Sequence, residues 1–100
     1  MDDENAVRGD AAACVVVVLP PVLRALFPGC PRDVTVAAAT VDEAIDRLNA
    51  LWPGMRDRIC DSRPAIRRHM NVFVAGERAR LDTRLAPGTE MLVMTAISGG

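Results

Sequence analysis

Apolar positions along the chain follow two different periods. From Cys14 to Leu19 every residue is apolar and four are valine, the length and composition of a buried β-strand. Pro20-Pro21 ends that run, and Pro28-Gly29-Cys30-Pro31 marks a turn. Val34, Val36 and Ala38 then alternate with Thr35 and Ala37, predicting a second strand and an N-terminal hairpin. At Thr40 the period changes to that of a helix. Val41, Ala44, Ile45, Leu48, Leu51 and Trp52 share one face, and Asp42, Asp46, Arg47 and Asn49 the other. Thr40 followed by Glu43 has the form of a capping box, and Pro53-Gly54 stops the helix.

The second half carries more strand than helix. Met55 to Arg68 is irregular, with room for a helical turn near Met55 to Cys60 and a loop through Pro64. Met70 to Ala75 reads as a third strand, Arg78 to Leu81 as a short edge strand after the Gly76 turn, and Met91 to Ile97 as the last strand after Pro87-Gly88. The order β-β-α-β-(β)-β asks one amphipathic helix to cover one face of a sheet, an α+β two-layer domain. It predicts a folded unit over 13–97, between flexible tails at 1–12 and 98–100.

Composition narrows the function classes. A chain of 100 residues supports one domain with one modest core. Twelve basic and thirteen acidic residues leave a net charge of -1, which gives no electrostatic reason to expect nucleic acid or an anionic membrane. The longest apolar stretch, Ala11 to Leu23, is broken by Pro20-Pro21 and falls short of the ~20 residues a membrane span needs. The acidic start (Asp2, Asp3, Glu4) is opposite to a secretory signal, so a cytoplasmic protein is expected. Cys14, Cys30 and Cys60 are odd in number and widely spaced. They fit reduced thiols, with Cys14 and Cys60 in the core and Cys30 exposed in its turn. With one histidine, His69, and no Cys-x-x-Cys, no metal site is expected. All twelve basic residues are arginine. GC-rich codon usage is the simplest explanation, and the consequence is that no lysine amine exists for modification or self-conjugation. No Ser/His/Asp set, meaningful carboxylate pair or phosphate-binding glycine loop is present, so the chain is expected to carry no catalytic groups of its own.

The most informative feature is the C-terminus. A strand runs into Ser98-Gly99-Gly100 with no linker, holding a carboxylate on a side-chain-free leash that a narrow channel would admit. Two terminal glycines arise by chance in about one chain in 200 at average usage. An unselected, frayed end is the plain alternative. The β-β-α-β-β order ending in Gly99-Gly100 resembles the MoaD/ThiS-type family of β-grasp, ubiquitin-like sulfur carriers over residues 14 to 100. The segments Leu19-Pro20-Pro21-Val22-Leu23-Arg24, Asn71-Val72-Phe73-Val74 with Glu77, and Met91 through Gly100 carry the likeness. Within the family the CysO type, carriers of a cysteine-forming pathway, is nearest in pattern. Three positions depart from it. Pro87-Gly88-Thr89 replaces an Asp-Gly-Asp turn, Thr95 a proline, and Ala75-Gly76 an Asn or Asp turn.

The resemblance implies a β-grasp fold, a mixed sheet of four to five strands on one main helix with a flexible C-terminal diglycine tail. It further implies that a ubiquitin-activating-type enzyme adenylates the Gly100 carboxylate with ATP. A sulfur donor (sulfide, a persulfide or a sulfurtransferase) then displaces AMP to leave a thiocarboxylate. An acceptor enzyme such as a cysteine synthase uses that sulfur, and the carrier binds no cofactor itself. Ser98 and Gly99 would be the tail that reaches into the partner. Gly100 already being last, no proteolytic processing is expected. Within the same family stands the small subunit of molybdopterin synthase. A ubiquitin-like modifier joined through Gly100 and an interaction domain with an idle tail are the other classes.

The first and last strands are apolar at nearly every position, so alternate residues must point away from the helix-covered core. By likeness to ubiquitin-like folds, Val15, Val17, Met91 and Val93 point inward. Val16, Val18, Leu92 and Met94 then form an outward apolar patch beside the tail, with Ile97 completing a partner-binding surface. A register slip of one residue would swap the faces, and another segment covering the patch would also remove it. Arg56, Arg58, Arg63, Arg67 and Arg68 outnumber Asp57 and Asp61. They read as a solvated loop or as a dock for an acidic partner.

Overall fold

The computed structural model describes residues 14–62 and 65–95. The tails expected at 1–12 and 98–100 lie outside the described residues. The elements run β1 (Cys14–Val18), α1 (Pro21–Leu26), β2 (Asp33–Ala37), α2 (Val41–Leu51), α3 (Met55–Ile59), β3 (Met70–Val74), β4 (Glu77–Arg78) and β5 (Glu90–Thr95). The strands form one mixed sheet in the order β2-β1-β5-β3-β4. β1 and β5 run parallel at its centre, and the other pairs are antiparallel.

The core is a single layer between the sheet and the helices. Val15, Val17, Val72, Met91 and Val93 rise from the sheet to meet Val41, Ala44, Ile45 and Leu48 of α2 and Met55 and Ile59 of α3. Each of these is essentially fully buried, so truncating Ile45 or Leu48 to alanine costs about 2–5 kcal/mol. Leu51, expected on the same face, is 56% exposed. Three residues past Leu48 it has rotated about 60° off the buried stripe, at the point where the helix ends. Trp52 has already left the helix and packs half-buried against the core.

The start of α2 is tied down on every free amide. The Glu43 N–H donates to Thr40 Oγ1 (3.2 Å) and the Ala44 N–H to the Thr40 carbonyl (3.0 Å). The Val41 and Asp42 amides donate to the carbonyls of Thr83 and Leu81, so the loop after β4 closes the orphan donors a helix leaves at its start. The Glu43 carboxylate accepts from the Ala39 amide (2.7 Å), one residue ahead of its place in the usual capping box.

Two local features were not anticipated in the residue pattern. α1 begins at Pro21, where Pro20-Pro21 had been read only as a strand stop. Proline at the first helical position serves both purposes, and Leu23 anchors the short helix to the core. Asn49 closes the α2–α3 turn, its Oδ1 accepting from the amides of Gly54 and Arg56, both at 3.0 Å. Arg56 then reaches back from α3 to the carboxylates of Asp42 and Asp46 (2.8 Å to the latter). Its guanidinium is held further toward the charged form by the hydrogen bond to Asp42.

Cys60 is buried, as its reading required. Cys14 is not in the core. It precedes the inward-facing Val15 and therefore faces out, exposed, and Cys30 is half-buried where exposure was expected. Among the described residues no helix is long and apolar enough to cross a membrane.

Candidate functional site

The candidate site is the sheet face turned away from the helices, together with the sheet end at which the chain leaves β5. Strand parity builds the face. Val15, Val17, Met91 and Val93 are buried inward, so Val16, Val18, Leu92 and Met94 point outward. The register is therefore the one expected, without the one-residue slip. Cross-strand pairing sets Val18 beside Leu92 and Leu92 beside Phe73, with Met94 beside Asn71 in the next row.

Exposure across this face is uneven. Met94 is 40% exposed, and Val16 and Leu92 are half-buried. Val18 is only 6% exposed, so the expected four-residue open patch is corrected at this position. Its short side chain stands between Leu92 on one neighbouring strand and Asp33 on the other, which shade it from both sides. Phe73 takes its place. It is half-buried on β3 and lines a shallow concavity with Leu92, Met94, Thr89 and Glu90. The alternation of β3 around Asn71 was the signal for it, since Met70, Val72 and Val74 face the core.

Ile97, Ser98, Gly99 and Gly100 lie outside the described residues. What the structure gives is the departure point. Thr95, the last described residue, pairs with Met70 at the start of β3. β1 and β5 end at the same edge of the sheet, because they are parallel and Val18 pairs with Leu92. α1, which follows β1, accordingly sits at the end from which the chain leaves β5. Its Val22 and Leu26 are 49% and 47% exposed.

The arginine-rich segment divides in space. Arg56 is committed to α2. Arg67 donates through Nε to the Asp57 carbonyl (2.7 Å), and Arg58 and Arg68 are exposed. Arg63 lies outside the described residues. Among those described, no three His, Cys, Asp or Glu side chains converge as a metal site would require. Burial pushes the Cys60 and Cys30 thiols up, against the opposing pull of Arg56 and Arg24 respectively. A raised thiol is a poor nucleophile at neutral pH.

No protein-family profile matches the chain. It is 30% identical over 92 residues to the sulfur carrier protein CysO of Mycobacterium tuberculosis, covering 86% of this chain and 98% of that one. It is 34% identical over 62 residues to small archaeal modifier protein 1 of Haloferax volcanii, covering 62% of this chain and 71% of the other. In three dimensions it matches a chain of the Amycolatopsis orientalis BexX/CysO complex with a TM-score of 0.76 at 28% identity, over 86% of this chain and 99% of that one. Both the strand order and these likenesses lead to one family: the chain belongs to the MoaD/ThiS-type ubiquitin-like sulfur carriers, with CysO among its relatives.

Proposed function

We propose that the chain carries sulfur on its C-terminal glycine as a cosubstrate of partner enzymes, without catalysing a step itself. The carboxylate of Gly100 attacks the α-phosphate of ATP in an adenylating partner and releases pyrophosphate. The acyl-adenylate is a strong acyl electrophile with AMP as leaving group. Attack by sulfide displaces AMP and leaves a thiocarboxylate directly. A persulfide on a sulfurtransferase instead gives an acyl disulfide, from which a second thiol of that donor releases the thiocarboxylate as it forms a disulfide with the donor's sulfur. That soft nucleophile passes to an acceptor enzyme, for which a cysteine synthase is the reading closest to CysO. ATP is thus consumed by the partner and none is held by the carrier. The free thiols of Cys14, Cys30 and Cys60 favour a reducing, cytoplasmic setting for this chemistry.

The observation that carries this reading is the match to CysO across 98% of that protein. The outward face of Val16, Phe73, Leu92 and Met94 supplies a surface for partners to grip while the tail is threaded. The test is top-down mass spectrometry of the protein from its native host, after alkylation to tag a thiocarboxylate. Sulfur in place of one oxygen, localised to the fragment holding Gly100, is the expected result. Peptide mapping excludes the three cysteines, and localisation excludes oxidation of the five methionines. A plain carboxylate that persists after incubation with ATP, sulfide and the host's adenylating enzymes would sink the proposal.

The likeness to small archaeal modifier protein 1 favours a second reading, conjugation through Gly100 to amines of target proteins. All twelve basic residues being arginine, this chain offers no lysine to a second copy. Conjugates would then carry no lysine-linked chains of this protein. Branched peptides joining Gly100 to a target lysine are the observation that would favour it.

A further inference from the structure

The antiparallel pairings bring the starts of β2 and β3 to the same sheet end as the finish of β5. Arg67, Arg68 and His69 therefore stand where the chain leaves the sheet, directly before Met70, the partner of Thr95. Arg78, three residues along β3 from that row, reaches the same concavity from the edge strand. Paired with Phe73, it shares the outward face of β3. Arg67, Arg68 and Arg78 line one concavity floored by Met70, Asn71 and Val72, and no carboxylate lines it.

These three guanidiniums are uncommitted to an acid. Among the described residues the arginine ion pairs are those of Arg32, Arg56 and Arg80, and the bond Arg67 makes is to a backbone carbonyl. Like charges held together repel, and they favour an anion that enters between them. The opposite sheet end carries Glu77 and Glu90, on β4 and at the start of β5. The end where the tail departs also holds Asp33, at the start of β2 and paired with Arg32, so the positive charge free of an acid is that of the concavity, on a chain of net charge -1.

We propose that Arg67, Arg68 and Arg78 receive carboxylates on an acidic rim of the adenylating partner, around the opening that admits the tail. The inference rests on the sulfur-carrier reading and names the chemistry of its first partner surface. A localised acidic protein surface fits this polarity better than nucleic acid does. An extended polyanion would run on into the Glu77 and Glu90 end, and the concavity offers no aromatic ring for a base to stack on. The field also turns the carrier as it approaches, tail end first, which raises the association rate at low salt.

The test compares three proteins in thiocarboxylation assays with ATP, sulfide and the host's adenylating enzymes. They are the wild type, Arg68→Glu with Arg78→Glu, and Arg47→Glu with Arg84→Glu as a control of equal charge change at exposed positions outside the concavity. The first pair is expected to lower kcat/KM about tenfold or more through KM, with kcat retained, because binding common to ground and transition states is lost. Raising salt from about 0.05 M to about 0.3 M should slow the wild type and leave that variant nearly unchanged. The control pair should stay within about twofold of wild type. Equal efficiency in all three, or equal loss in both variants, overturns the inference while the carrier reading stands. Saturable binding of a DNA duplex by the wild type at physiological salt, lost in the Arg68/Arg78 variant, overturns it in favour of nucleic acid. Failure of the wild type to be thiocarboxylated overturns the carrier reading and the inference with it.

Discussion

Met70 lies directly opposite Thr95 in the antiparallel ladder of β3 and β5. The pairing fixes the root of the C-terminal segment against the start of β3, so whatever grips the sheet there also aims the tail. Met94, the residue before that root, is 40% exposed on the outward face beside Asn71.

Placing a charge at this position should separate docking from folding. Met94→Asp is expected to change stability by no more than about 0.5 kcal/mol, since the side chain lies outside the buried cluster. In the thiocarboxylation assay it should raise KM for the carrier tenfold or more, about 1.4 kcal/mol of lost binding. Circular dichroism melts beside the kinetics make the comparison. An unchanged KM would remove this face from the partner contact.

The hairpin between β3 and β4 contains a stabilisation left unused. Val74 pairs with Glu77, so Ala75 and Gly76 alone make the turn, with φ of +53° and +83°. Two left-handed residues suit Asn-Gly, whereas the Cβ of alanine strains the first position. Ala75→Asn should raise stability by about 0.5–1 kcal/mol, shifting Tm upward by about 2–8 °C for a domain this size. A melt at or below the wild-type temperature would contradict the turn assignment.

Thr40 closes the helix at its start and sits opposite Arg84 in an isolated bridge that holds the long loop to α2. Thr40→Ala should cost about 1 kcal/mol and lower Tm by about 4–8 °C, and Thr40→Ser should recover most of it. The serine rescue distinguishes a lost hydroxyl cap from lost packing.

The alkaline limb of stability should report Cys60. The chain has no tyrosine and no lysine, so between about pH 8 and pH 11 its titrating side chains are the three thiols. Burial raises the folded-state pKa of Cys60 and, less deeply, that of Cys30. A raised acid keeps its proton in the fold while the unfolded chain loses it. The stabilisation is therefore complete below an unfolded value of about 8.5 and is lost as pH rises toward the folded value. Urea melts should weaken above pH 8.5, and Cys60→Ala should flatten that slope even as it lowers stability at pH 7. Thiol labelling of the native protein should reach Cys14 first and Cys60 last.

Much of this molecule follows from its linear pattern. The valine run of β1, the 3.6-residue stripe of α2 and the alternation in β2 depend on contacts within a few residues, and each folds as its period requires. Strand parity is equally local and groups Val15 with Val17 and Met91 with Val93, while the likeness to ubiquitin-like folds was needed to set those residues on the core side. The Gly99-Gly100 ending and the segments around Asn71 and Met91 carried the family. The tertiary structure decided what depends on neighbours distant in sequence. Val18 is shaded because Leu92 and Asp33 flank it, Arg56 is spent on α2, and Phe73 comes to lie beside Leu92. Arg67, Arg68 and Arg78 become one cationic hollow at the tail's root only because β3, β4 and β5 pair as they do. Periodicity records which way a side chain faces, and only the pairing of strands determines what stands next to it.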